Sequence, residues 1–141
     1  MPEDSERHLI QMTKKQRPVK KNQTDKQDIG VGVDIIEVRR VENLVKKNPR
    51  FLSKVFTDTE IAYCSSKFNP YQHFAARFAA KEAFFKALGR KIKWTDVGIK
   101  NLPSGKPVLE IQGGQNLPFR KAEVSISHLK DYAVAAVILS G

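Results

Sequence analysis

The sequence predicts an α+β fold, on three observations. A run dense in Val and Ile, Ile29 to Ile36, reads as a strand. Three helical patterns follow it, and after Gly89 the remaining pattern is β. Strand, then helices, then strands favours α+β over a doubly wound parallel sheet, in which the two would alternate.

In Ile29–Ile36 (IGVGVDII), Gly30 and Gly32 permit close backbone approach and Asp34 interrupts the apolar run. Val38 to Lys47 predicts a short amphipathic helix. Val38, Val41, Leu44 and Val45 form its inner face, and Asn48-Pro49 ends it. Thr57-Asp58-Thr59-Glu60 is a capping box that opens a helix to about Ser65. Pro70 precedes a long helix, and Gly89 stops it. Val97–Asn101 and Val108–Gln112 read as strands joined by the turn Pro103-Ser104-Gly105-Lys106-Pro107. Glu123–Ser127 alternates polar and apolar, and Tyr132–Leu139 reads as a buried strand. His128-Leu129-Lys130-Asp131 is the expected hairpin loop between them.

Residues 1–28 hold few large apolar side chains and predict a disordered basic N-terminal tail; residues 29–141 are enough for one hydrophobic core. The net charge is +10, and most of it belongs to the second part. Residues 1–28 carry seven Lys and Arg against five Asp and Glu, and residues 29–141 carry eighteen against ten. A basic domain attracts nucleic acid, anionic lipid, phosphorylated ligands or acidic proteins. No recognition motif with exposed aromatics supports nucleic acid. No apolar run approaches the ~20 residues of a membrane span, and the N-terminus lacks a signal-peptide core. Cys64 is the single cysteine, so no intrachain disulfide can form, which fits a reducing, cytoplasmic setting.

The candidate chemistry starts from two carboxylates in apolar surroundings. Glu82 falls between Phe78 and Phe85 on a stripe that begins at Phe74, three or four residues apart and so on one helix face. A carboxylate on a buried stripe must be neutralised, paired or metal-bound. Asp34 is either a turn or cap residue after the first strand, or the second half of a site with Glu82. Two buried carboxylates repel unless a cation lies between them, and hard oxygen ligands with phosphate co-ligands suit Mg²⁺. Lys86, four residues after Glu82, is a possible i,i+4 salt bridge worth only ~0.3–0.5 kcal/mol on a surface. Arg77 and Lys81 are two like charges at i,i+4 and call for an anion. From Arg77 to Lys93 six basic residues face one acid, which outlines a phosphate-binding surface.

Three blocks in this order resemble one family, the short form of the 4′-phosphopantetheinyl transferases, the holo-[acyl-carrier-protein] synthases. They are Gly32-Val33-Asp34-Ile35-Ile36-Glu37-Val38-Arg39-Arg40, then Arg77-Phe78-Ala79-Ala80-Lys81-Glu82-Ala83-Phe84-Phe85-Lys86-Ala87-Leu88-Gly89, then Ser125-Ile126-Ser127-His128; the turn Gly105-Lys106-Pro107 also matches. The resemblance spans about Gly30 to Leu139 and implies the transferase fold, an antiparallel sheet packed against a long helix.

It implies a reaction too: the phosphopantetheine arm of coenzyme A passes to a serine of an apo acyl carrier protein, and adenosine 3′,5′-bisphosphate leaves. By the same resemblance Asp34 and Glu82 hold Mg²⁺. A third acid of larger, two-lobed relatives corresponds to Ile36, so water would take its place. Lys86 stabilises charge on the pyrophosphate, and Glu82 or a water on the metal takes the serine proton. Arg77, Lys81, Lys86 and His128 hold coenzyme A phosphates, and Gly105, Lys106 and Pro107 lie near the adenosine. Arg40, Leu44, Lys47 and Arg50 dock the acidic carrier. The family's short members are trimers with sites between subunits, which implies a homotrimer here.

Overall fold

The computed structural model describes residues 28–113 and 116–141. The expectation of a disordered tail falls almost wholly on residues outside that range. Strand β1 (Ile29–Glu37) leads directly into helix α1 (Val38–Lys47). Helices α2 (Phe51–Val55), α3 (Asp58–Ser65) and α4 (Pro70–Leu88) follow, then β2 (Val97–Asn101), β3 (Pro107–Ile111), β4 (Lys121–His128) and β5 (Tyr132–Ser140).

The fold is α+β, with antiparallel sheets. One sheet has the order β1-β5-β4; β2 and β3 form a separate two-stranded ribbon. Asp34 pairs with Ala135, and His128 pairs with Ala133. Both therefore sit at the end of the sheet where the β4–β5 hairpin turns. His128 is the last residue of β4, not part of the loop; the turn itself closes by Leu129 N–H donating to the Tyr132 carbonyl at 2.8 Å.

Helix α4 lies across the inner face of the three-stranded sheet. Its Phe74, Phe84 and Phe85 and its alanines 75, 76, 79, 80 and 83 are buried against Ile36, Val124, Ala133, Ala135, Val137 and Leu139. The alanines matter most for placement, because a surface of methyl groups lets strands come close. At Gly32 an added Cβ would lie 1.9 Å from the Ala83 carbonyl oxygen, and at Gly30 2.2 Å from that of Ala87. Strand and helix thus meet main chain to main chain, and only glycine fits.

The local signals explain the ends. Thr57 and Glu60 form the reciprocal capping box at the start of α3. Pro70 occupies the first turn of α4, and Gly89 closes it in the left-handed conformation at φ 86°. Between β2 and β3, Gly105 takes φ 93° and Leu102 N–H donates to the Lys106 carbonyl at 2.8 Å.

Candidate active site

Helix α4 is buried around most of its circumference, and the stripe that reaches solvent is Phe78, Glu82 and Lys86. This corrects the expectation that Glu82 sits on the greasy face. Phe74 and Phe85 are buried, but the Glu82 side chain keeps 27% exposure. Its nearest cation is Lys91, with Nζ 3.9 Å from Oε1. The small side chains carry most of the helix burial, so a stripe traced through the phenylalanines drifts onto the open side.

Lys86 joins the helix to the strand. Its Nζ donates to Asp34 Oδ1 at 3.2 Å and to the Val33 carbonyl at 3.0 Å. The Lys86 side chain is 55% exposed and that of Asp34 16%. Asp34 lies two residues past Gly32 on the inward face of β1, and the glycine contact holds that face against α4. Lys86 is therefore bonded to one predicted acid and lies a helical turn on from the other.

Asp34 on β1 and Glu82 on α4 would together be a sparse donor set. Among the described residues no group of three or more His, Cys, Asp or Glu side chains is placed to hold a metal. A caged structural zinc or calcium does not fit such a set. Mg²⁺ does, since it keeps several waters and takes the rest of its ligands from phosphate. Among the described residues, the hydrogen bond from Lys86 to Asp34 falls on Oδ1.

A second cluster lies at the other end of α4. Tyr63, His73, Ala76, Arg77, Asn101, Gly105, Pro107, Ile126 and His128 enclose a cavity of about 150 Å³. Arg77 is 4% exposed. Its Nη2 donates to Asn101 Oδ1 at 2.6 Å, and its guanidinium lies 4.3 Å over the Tyr63 ring. Asn101 Nδ2 in turn donates to the Gly105 carbonyl at 2.9 Å, so the ribbon turn is tied to the arginine. Among the described residues Arg77 Nε is a buried donor with no hydrogen-bond partner. A buried, unsatisfied N–H on a cation costs free energy until an acceptor arrives, which makes this cavity suited to an anion.

The structure thus brings Arg77, Gly105, Pro107 and His128 to one cavity. Lys106 points elsewhere and pairs with Glu123 at 3.0 Å. Lys81 departs furthest from expectation. It is fully buried, its Nζ 2.7 Å from Glu60 Oε1, and it donates to the Val55 and Trp94 carbonyls at 2.7 and 3.1 Å. The anion that the Arg77–Lys81 pair called for is Glu60, inside the protein, so Lys81 has no free ammonium to offer a coenzyme phosphate. Burial pushes the Lys81 ammonium below its ordinary range, and Glu60 works against that shift.

On α1, Arg40, Leu44 and Lys47 line an open groove of about 310 Å³ with Glu37, Arg39 and Asn43. Arg50 caps the next helix and is exposed, outside that groove. Sequence reading missed Tyr63, Gln72, His73 and Asn101. The sequence held a partial signal for two of them: Gln72 and His73 open the long helix one turn before Arg77. Asn101 and Tyr63 carried none.

Residues 30–137 match the family profile of the 4′-phosphopantetheinyl transferase superfamily. The chain is similar to the holo-[acyl-carrier-protein] synthase of Koribacter versatilis, 42% identical over 121 residues, covering 79% of this chain and 97% of that protein. It is also similar to that of Thermodesulfovibrio yellowstonii, 44% identical over 114 residues, covering 79% and 97%. Among solved structures, a holo-(acyl-carrier-protein) synthase from Bacillus anthracis in complex with CoA (3′,5′-ADP) superposes with a TM-score of 0.69 at 34% identity, covering 79% of this chain and 96% of that one. The Helicobacter pylori synthase in complex with coenzyme A gives a TM-score of 0.69 at 29% identity, covering 78% and 99%.

Proposed function

The chain belongs to the 4′-phosphopantetheinyl transferase superfamily and is an enzyme of the holo-[acyl-carrier-protein] synthase type, and from that premise we propose its reaction in full. It transfers the 4′-phosphopantetheine group of coenzyme A to a serine hydroxyl of an apo acyl carrier protein. The serine oxygen attacks the β-phosphate, the bond from that phosphorus to the bridging oxygen breaks, and adenosine 3′,5′-bisphosphate leaves. The observation that carries this reading is the Lys86 contact, which places a cation beside Asp34 on β1 and one turn from Glu82 on α4.

In this reading Asp34 and Glu82 hold Mg²⁺, which supplies Lewis-acid neutralisation of the pyrophosphate. The chain's own groups do the rest. Lys86 is exposed enough to meet a phosphate and is aimed by its bonds to Asp34 and Val33, so it offers positive charge where the leaving oxygen develops negative charge. Glu82, partly open to solvent, takes the serine proton directly or through water. Arg77 and His128 hold a coenzyme A phosphate in their shared cavity, and the Gly105–Pro107 corner lies against the nucleoside. The α1 groove, with Arg40, Lys47 and Leu44, receives the acidic carrier.

Homotrimeric assembly is supported by the outer face of the sheet. Ile29, Val31, Val33 and Ile35 on β1 are each more than half exposed, and Tyr132 and Ile138 on β5 are about half exposed. Val31 pairs with Ile138, so these side chains form one continuous apolar surface. Such a face on a short domain is where a second copy packs. A His128 site completed by the neighbouring subunit belongs to the same proposal. No helix among the described residues is long and apolar enough to cross a membrane. The cytoplasm is the compartment this reading takes, in line with one buried free cysteine.

The deciding experiment incubates the protein with coenzyme A, Mg²⁺ and an apo carrier and weighs the carrier. Addition of the phosphopantetheine mass supports the transferase; an unchanged mass with every carrier tested sinks it. Light scattering on the same sample should give three times the 16.0 kDa chain mass.

A further inference from the structure

His128 is held at three points. Its backbone closes the strand ladder opposite Ala133, its ring packs edge-on to His73 with centroids 5.0 Å apart, and its Nδ1 lies 2.9 Å from Gln72 Oε1. Gln72 and His73 are fixed in turn by their place in the first turn of α4, where Gln72 N–H donates to the Asn69 carbonyl at 3.2 Å. His73 also packs edge-on to Tyr63, so the two imidazoles stand in a rigid wall beside Arg77.

With the Gln72 amide oxygen facing it at 2.9 Å, Nδ1 of His128 is the nitrogen to which the hydrogen is assigned. An amide oxygen only accepts, so Nδ1 must donate. The neutral ring is then the Nδ1–H tautomer, with a bare lone pair at Nε2, and only the imidazolium carries a donor on Nε2. A phosphate met at Nε2 therefore binds the charged ring, whose two N–H groups are satisfied by the phosphate and by Gln72 together. A second cation in the wall would oppose this. Burial first, and then the charges of His128, Arg77 and Lys67, hold His73 below its usual range, which favours its neutral form.

We propose that Gln72 is a positioning residue, which fixes the tautomer and orientation of His128 so that Nε2 meets a phosphate of coenzyme A as a charged donor. This rests on the transferase reading for the identity of the anion; the tautomer itself does not. Gln72 touches no reacting atom and acts only through His128.

The test has two arms. In the first, nitrogen-15 NMR of the ring nitrogens of the full chain without ligand reads the neutral tautomer. Wild type is expected to show His128 protonated at Nδ1, and Gln72→Leu to shift it toward Nε2–H. In the second, steady-state kinetics compare wild type, Gln72→Leu and Gln72→Glu. Leucine should raise KM for coenzyme A about tenfold, the loss of one hydrogen bond to a charged group, with kcat within about twofold. Glutamate, which keeps the acceptor, should restore KM. An Nε2–H tautomer in wild type, or an unchanged tautomer and KM in Gln72→Leu, overturns the assignment. Failure of wild type to bind coenzyme A in calorimetry would remove the transferase reading, while the ligand-free NMR arm still decides on Gln72.

Discussion

Glu60 and Lys81 form an ion pair 2.7 Å apart that is wholly enclosed by the protein. The second carboxylate oxygen of Glu60 accepts the backbone N–H of Ile99 at 2.8 Å, and Oε1 accepts that of Thr57 at 2.8 Å. One acid thus ties the start of α3, the middle of α4 and strand β2 together.

Removing one member should expose the cost of the other. Glu60→Ala strands a buried ammonium and should lower stability by about 3–5 kcal/mol, read by urea unfolding. Lys81→Met should also destabilise, yet leave KM for coenzyme A within about twofold in whatever fraction stays folded. A selective loss of coenzyme affinity without loss of stability would return Lys81 to the binding site.

Glu82→Gln keeps the shape of a partly exposed side chain and removes its charge. Turnover of an apo carrier, followed by mass, should fall at least about 10²-fold, the scale of a general base, while circular dichroism and the unfolding midpoint stay put. Ordinary turnover in this variant would discard the assigned role of Glu82.

Arg40→Glu reverses a charge in the α1 groove. KM for the carrier should rise about tenfold, and its dependence on salt should weaken, with KM for coenzyme A little changed. Equal losses on both substrates would move the carrier surface elsewhere.

Gly32→Ala places a methyl group on the Ala83 carbonyl oxygen. Overpacking of that kind costs about 1–3 kcal/mol or more. The unfolding midpoint should drop, and activity should fall further than stability accounts for, because the strand that carries Asp34 must back away from Lys86.

Cys64 is fully buried, and burial pushes its thiol up to about 12 from 9.0. The folded state holds this proton more tightly than the unfolded chain. Its contribution to stability is therefore complete below about pH 9 and fades as pH climbs through the interval to about 12. At pH 8 a thiol reagent should label Cys64 only after denaturant is added; fast labelling of the native protein would contradict its enclosure.

Much of this was legible in the residues. Val38–Lys47 and Val97–Asn101 match their predicted bounds, because Asn48-Pro49 and the Val-Gly-Ile run are strong local signals. Helix α2 was not foreseen, since the five residues Phe51–Val55 are too short for a helical period to register. The stripe through Phe74, Phe78 and Phe85 misplaces Glu82 because alanines make up most of the buried surface of α4, and Phe78 itself lies on the partly open side. The role of Lys81 was misread for a different reason. Its partner lies 21 positions earlier, and charge counting along one helix sees only neighbours on that helix. The polar and apolar alternation ends at Ser127 and puts His128 in the loop, whereas the β4 ladder runs one residue further.

The seam where Gly32 meets Ala83 consists of peptide atoms on both sides. Its width is consequently indifferent to which side chains drift elsewhere in the interior. Preference for one carrier or another can be rewritten around the rim, over many substitutions, while the gap between the two acid-bearing elements stays at the value dictated by bare backbone.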